Sequence, residues 1–113
     1  MKYKTTNKAV NGGYSKVIRI GYCNAQHLLR FQNPVAYTCG VDGWKSDIYA
    51  YGPYAISTGY QPTGDICPKY DMVREYDVAA EKILCRTDLS VDEMRTQVNE
   101  LLDMLMEEVV MSA

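Results

Sequence analysis

Two guanidinium groups and four flat rings are the side chains of this sequence whose chemistry is easiest to name. Arg19, Arg30, Trp44, Tyr49, Tyr51 and Tyr60 combine rings that stack on a planar base with cations that pair with phosphate or carboxylate. Arg19 alternates with Ile18 and Ile20, and Tyr49 and Tyr51 alternate with Ile48 and Ala50. A period of two sends alternate side chains to opposite faces of a strand, so this spacing predicts an outward aromatic and basic face over an aliphatic one. Such a face suits a planar, anionic ligand. Tyrosine is also a good strand former that tolerates half-burial, so each single ring has a purely structural reading as well.

The remaining reactive residues form weaker patterns. Tyr60-Gln61-Pro62-Thr63-Gly64 could offer backbone N–H groups to an anion, but it lacks the Lys followed by Ser or Thr of a nucleotide-binding P-loop. His27 is the single histidine, and Asp42 and Asp47 are the only carboxylates before residue 65. A catalytic histidine needs an orienting acid and a nucleophile in reach, so His27 reads as a packing or helix-surface residue and no catalytic residue is expected. Cys23, Cys39, Cys67 and Cys85 include no Cys-x-x-Cys pair, which argues against a structural zinc site. The polar start Met1-Lys2-Tyr3-Lys4 has no apolar export region after it. The four thiols are therefore expected to be reduced in a cytoplasmic protein, with Cys23, Cys39 and Cys85 on apolar faces. Neither a metal nor a cofactor is expected.

Charge divides the chain. Residues 1–64 hold seven basic and two acidic side chains, a net of +5, whereas residues 65–113 hold five basic and twelve acidic ones, a net of −7. All eight glycines and eight of the ten tyrosines lie in the first part, and five of the six methionines in the second. At 113 residues and 47% hydrophobic composition the chain is expected to be one folded domain. Residues 1–13 would be a flexible arm or edge strand, 14–64 a β half and 65–113 a helical half. No apolar run approaches the ~20 residues of a membrane span.

The elements that must position these groups follow from periodicity. Residues 14–22 and 35–41 alternate as strands, with Asn24 as N-cap of a short helix between them that Pro34 ends. Asp42-Gly43 predicts a tight hairpin into a return strand, residues 44–51. Gly52-Pro53 predicts a second turn into the strand 54–58. The prolines and glycines of residues 59–68 predict a loop. Val73, Tyr76, Ala80, Ile83 and Leu84 recur at helical spacing over 70–86. Ser90 and Glu93 form a capping box, with Leu89 and Met94 as its hydrophobic staple, opening a helix that runs toward Val110. The expected fold is α+β, an antiparallel sheet of four to five strands with a short inserted helix, followed by two C-terminal helices.

Met94, Val98, Leu101 and Leu105 have the 4-3-4 spacing of a short coiled-coil seam. Met104, Met106, Val110 and Met111 add apolar surface on other faces, more than a helix on one sheet needs. This predicts a homodimer or higher homo-oligomer through the last helix, the alternative being that these residues are core. Asp71, Glu75, Asp77, Glu81, Asp92, Glu93, Glu100, Asp103, Glu107 and Glu108 would ordinarily be a solvated face. They could instead mimic DNA phosphates against a basic groove.

The stretch Val17-Ile18-Arg19-Ile20-Gly21-Tyr22-Cys23, with Leu28 to Thr38, Gly40 to Trp44, Asp47-Ile48-Tyr49 and Ala55 to Pro62, resembles small uncharacterised proteins encoded by phages and mobile elements of Gram-positive, largely gut, bacteria. The order of sheet then helices is similar to that of phage sponge proteins that sequester nucleotide immune signals, a likeness of architecture alone. Gln61 stands where related loops carry Arg, which weakens a phosphate role for that loop. The resemblance implies a cytoplasmic accessory protein of a bacterial host. With the aromatic and basic face, it leads to an expected non-enzymatic counter-defence protein that sequesters a nucleotide-type signal. The alternative is a protein–protein inhibitor of a host nuclease or immune effector, working through the aromatic or the acidic face, without a membrane partner.

Overall fold

The structure, a computed structural model, describes residues 15–39, 45–58 and 66–111. The expected N-terminal arm, the Asp42-Gly43 turn, Trp44 and the loop with Tyr60 lie outside the described residues. The chain forms β1 (Lys16–Arg19), α1 (Tyr22–Ala25), β2 (Ala36–Cys39), β3 (Lys45–Tyr51), β4 (Tyr54–Ser57), α2 (Tyr70–Leu84) and α3 (Val91–Met111). The fold is α+β, with a small sheet and helices at the C-terminal end. Among the described residues no helix is long and apolar enough to cross a membrane.

The sheet order is β1-β4-β3-β2. β2 with β3 and β3 with β4 are antiparallel, but β1 pairs with β4 in parallel, Lys16 opposite Tyr54 and Arg19 opposite Ser57. The expected all-antiparallel sheet is thus corrected to a mixed one. The physical reason lies in the helical excursion after β1. Antiparallel neighbours can be joined by tight turns, whereas a strand followed by a helical crossover returns in the same direction. β2, β3 and β4 then alternate, so β4 runs with β2 and with β1. Gly52, at φ 56°, turns the chain between β3 and β4 ahead of Pro53; a residue with a Cβ is strained there. Ile66 adds an isolated parallel bridge to Ile18, so the loop expected over 59–68 ends in ladder pairing.

The described residues fall into two compact units, one of residues 15–22, 33–39, 45–58 and 66–67, the other of residues 23–32 and 68–111. In the sheet unit both faces of the central strands are buried. Val17, Ile48 and Ala55 cluster on one face. Ile18, Tyr49 and Ile56 are aligned across the sheet and buried on the other. In the helical unit α2 and α3 pack on each other. The predicted capping box is present: Glu93 N–H donates to Ser90 Oγ at 3.1 Å, and Ser90 N–H donates to Glu93 Oε1 at 2.8 Å. The short helix begins before Asn24 rather than at it, because the chain turns helical directly from Gly21 and leaves Asn24 inside the first turn.

The four residues of the α3 seam divide on the structure. Val98 and Leu105 are fully buried within the single chain, and Met94 and Leu101 are half-buried. The buried stripe is Val98, Leu102, Leu105, Met106 and Val109, a 3.6-residue repeat that serves the core of one chain. The apolar surface that α3 leaves exposed is Val91, Met104 and Met111.

Candidate functional site

At one end of the helical unit, the first turns of α2 and the last turns of α3 frame a cleft of about 590 Å³. Asp71, Glu75 and Glu108 bring carboxylates to it, Tyr70 and Tyr76 bring rings, and Lys69 is the one cation among its described lining residues. Tyr70 is 59% exposed. Tyr76 is half-buried, and its hydroxyl donates to Glu108 Oε2 at 3.3 Å. Desolvation, then the charge and hydrogen bond of Glu108, raise the Tyr76 pKa above the ordinary 10.0. The phenol therefore stays a donor through the physiological range.

The local sequence makes this end of the molecule electronegative. A helix C-terminus carries a partial negative charge that basic side chains usually offset. The last turn of α3 has no basic residue and instead holds Glu107 and Glu108. Local rules tend to be broken at functional sites. A cation entering the cleft would meet carboxylates and ring faces, both of which attract it.

A second cluster shapes the helical unit from inside. Asp77 was expected on the solvated acidic face, yet it is fully buried. Its Oδ1 accepts the backbone N–H groups of His27 at 2.9 Å and Leu28 at 3.0 Å. Its Oδ2 lies 2.8 Å from His27 Nδ1 and 3.5 Å from Arg74 Nη1. The carboxylate thus holds the turn segment after α1 against α2. Gln32 Nε2 donating to Asn99 Oδ1 at 3.0 Å, and the Arg95 guanidinium 5.4 Å from the centre of the Phe31 ring, hold the same segment to α3. His27 therefore has an orienting acid, supplied by α2 rather than by Asp42 or Asp47. The signal was present: Asp77 lies four residues after Val73 and three before Ala80, in the middle of the buried stripe of α2.

The expected ligand face comes apart on the structure. Tyr49 is only 5% exposed. The register explains the difference, since Tyr49 opposes Ile56, which opposes Ile18; the ring lies on the aliphatic face rather than away from it. Tyr51 is half-buried at the rung it shares with Tyr54. Arg19 is half-buried and donates through Nη2 to Cys67 Sγ at 3.4 Å. Arg30 is exposed and belongs to the helical unit, whereas Arg19, Tyr49 and Tyr51 belong to the sheet unit. Trp44 and Tyr60 lie outside the described residues. Cys23 and Cys85, expected on apolar faces, are exposed free thiols, as is Cys67. Cys23 is the second residue of the short α1 and Cys85 caps the last turn of α2, both at helix ends. Among the described residues no group of three or more His, Cys, Asp or Glu side chains converges as if for a metal ion.

Comparison with known protein families, with curated proteins and with solved structures returns no match.

Proposed function

We propose that this chain is a non-enzymatic binding protein that receives a basic side chain of a partner protein in the tyrosine and carboxylate cleft of its helical unit. The setting implied by the sequence resemblance is a phage or mobile element, and the partner class is a host nuclease or immune effector whose basic surface the protein would block. The observation that carries this reading is the composition of the cleft: among its described lining residues, Asp71, Glu75 and Glu108 against Lys69 alone, with Tyr70 and Tyr76 beside them. A guanidinium seated there gains about 0.5–1 kcal/mol from each exposed ring face, plus charge-assisted hydrogen bonds of about 1.5–3 kcal/mol each. Sequestration of a nucleotide-type signal keeps Arg19 and Tyr51 as described contacts, but Tyr49 is committed to the core.

Calorimetric titration separates the two classes. An arginine-rich peptide is expected to bind at low salt and to bind at least tenfold more weakly to a Glu75→Gln/Glu108→Gln variant, because the loss of even one charge-assisted contact of about 1.5 kcal/mol is about tenfold. A cyclic dinucleotide should give no saturable heat. Equal peptide binding by the variant, or saturable binding of the nucleotide alone, would overturn the reading.

A further inference from the structure

The outward face of α3 borders the cleft and carries a second chemistry. The core takes Val98, Leu102, Leu105, Met106 and Val109, which leaves Met104 and Met111 54% and 81% exposed. These two stand seven residues apart, two helical turns or about 10 Å along the axis, so they lie on one side of the helix. Glu108, which lines the cleft, comes four residues after Met104 and three before Met111, the spacings at which helical side chains are neighbours. Exposed Glu100 and Glu107 stand four residues before and three after Met104, and α3 has no basic side chain after Arg95. On the α2 side, half-buried Met72 and exposed Tyr70 add apolar surface to the cleft. Large apolar side chains grouped outside a core mark an interaction surface, and methionine adapts its shape to what covers it. The charges decide the occupant. A second copy presenting the same face would set carboxylates against carboxylates. A partner whose cations alternate with its apolar side chains matches both chemistries.

We propose that the partner segment is a basic amphipathic helix laid along α3 from Met104 to Met111, which rests on the reading of the cleft as a cation receiver. Apolar residues of that helix, seven apart, cover the two methionines, and its arginines or lysines meet Glu107 and Glu108 and reach into the cleft. An amphipathic helix on an apolar face is a recurring mode of peptide recognition. The carboxylates set the register and the rate of encounter, and their share fades as salt is added. The methionine contacts are non-directional and do not depend on charge.

The test is calorimetric titration with two helical peptides, one arginine-rich with leucines seven residues apart, the other identical but with glutamine in place of each leucine. The leucine peptide is expected to bind about tenfold more tightly. A Met104→Gln/Met111→Gln variant should remove that advantage and leave the affinity of the glutamine peptide unchanged. Glutamine is a good helix former and both sites are exposed, so the fold is kept. Equal binding of the two peptides by the parent, or an advantage that survives in the variant, would overturn the proposed helix and leave the cation-receiving cleft standing. Binding of neither peptide would overturn both. A dimer in light scattering that the variant converts to a monomer would give the face to a second copy and overturn the proposal as well.

Discussion

Replacing Asp77 with alanine should be among the most damaging single changes in the helical unit. The carboxylate is fully buried and serves two backbone N–H groups, the His27 ring and the Arg74 guanidinium. Alanine leaves the His27 and Leu28 amides without their acceptor, at about 1–3 kcal/mol for each buried donor. It also leaves Arg74 without its buried partner, and breaking a buried pair typically costs about 3–5 kcal/mol in total. These effects share groups and do not add, so the expected loss is about 3–5 kcal/mol. A domain of this size has a total stability of roughly 6–17 kcal/mol, and the melting temperature should fall by about 12–20 °C. Asp77→Asn keeps one oxygen for the two amides and turns an NH2 group toward His27 Nδ1, which can accept it in one tautomer. That variant should lose only about 1–3 kcal/mol. Urea denaturation at constant m-value measures both. An alanine variant within about 1 kcal/mol of the parent, or an asparagine variant no better than alanine, would refute the anchoring role.

Leu105→Ala should cost about 2–5 kcal/mol in a urea melt, whereas Met111→Ala, at 81% exposure, should stay within about 0.5 kcal/mol; a loss at Met111 as large as that at Leu105 would contradict this assignment of core and surface. Ser90→Ala removes the acceptor of Glu93 N–H and should cost about 1 kcal/mol, read as a lower urea midpoint. Hydrogen bonds from Arg86 lower the Asp88 pKa below 3.8, and those from Ser90 lower that of Glu93 below 4.5. The stabilisation from these carboxylates is complete above those ordinary values and is lost as pH falls through the lowered ones, so Asp88→Asn and Glu93→Gln variants should flatten the acid limb of a stability–pH curve. Glu108→Gln removes one cause of the raised Tyr76 pKa but leaves burial in place, so ultraviolet titration should show Tyr76 ionising at lower pH than in the parent, though not below the ordinary value of 10.0.

Features set by residues close in sequence were legible in advance. The Ser90–Glu93 cap needs partners only three residues apart, and the alternation around Ile18, Ile48 and Ile56 marks strands whatever pairs with them. Pairing itself is non-local. The same alternation in β1 fits a parallel or an antiparallel neighbour, and only the strand–helix–strand order hinted at the parallel outcome. Tyr49 shows the same boundary: a period of two says that its ring and Ile48 take opposite faces, but not that both faces become interior. The Tyr76–Glu108 contact joins residues 32 positions apart and left no local trace, although the uncompensated acids at the end of α3 did. Asp77 was legible as a carboxylate inside an apolar stripe, a conflict that calls for a buried partner.

Amide-resolved NMR titration with an arginine-rich peptide tests most directly whether the cleft between the start of α2 and the end of α3 receives a cation. Shifts should concentrate at residues 69–76 and around Glu108, and fade as salt is added. Shifts centred on β1 and β3, or a spectrum that the peptide leaves unchanged, would contradict it.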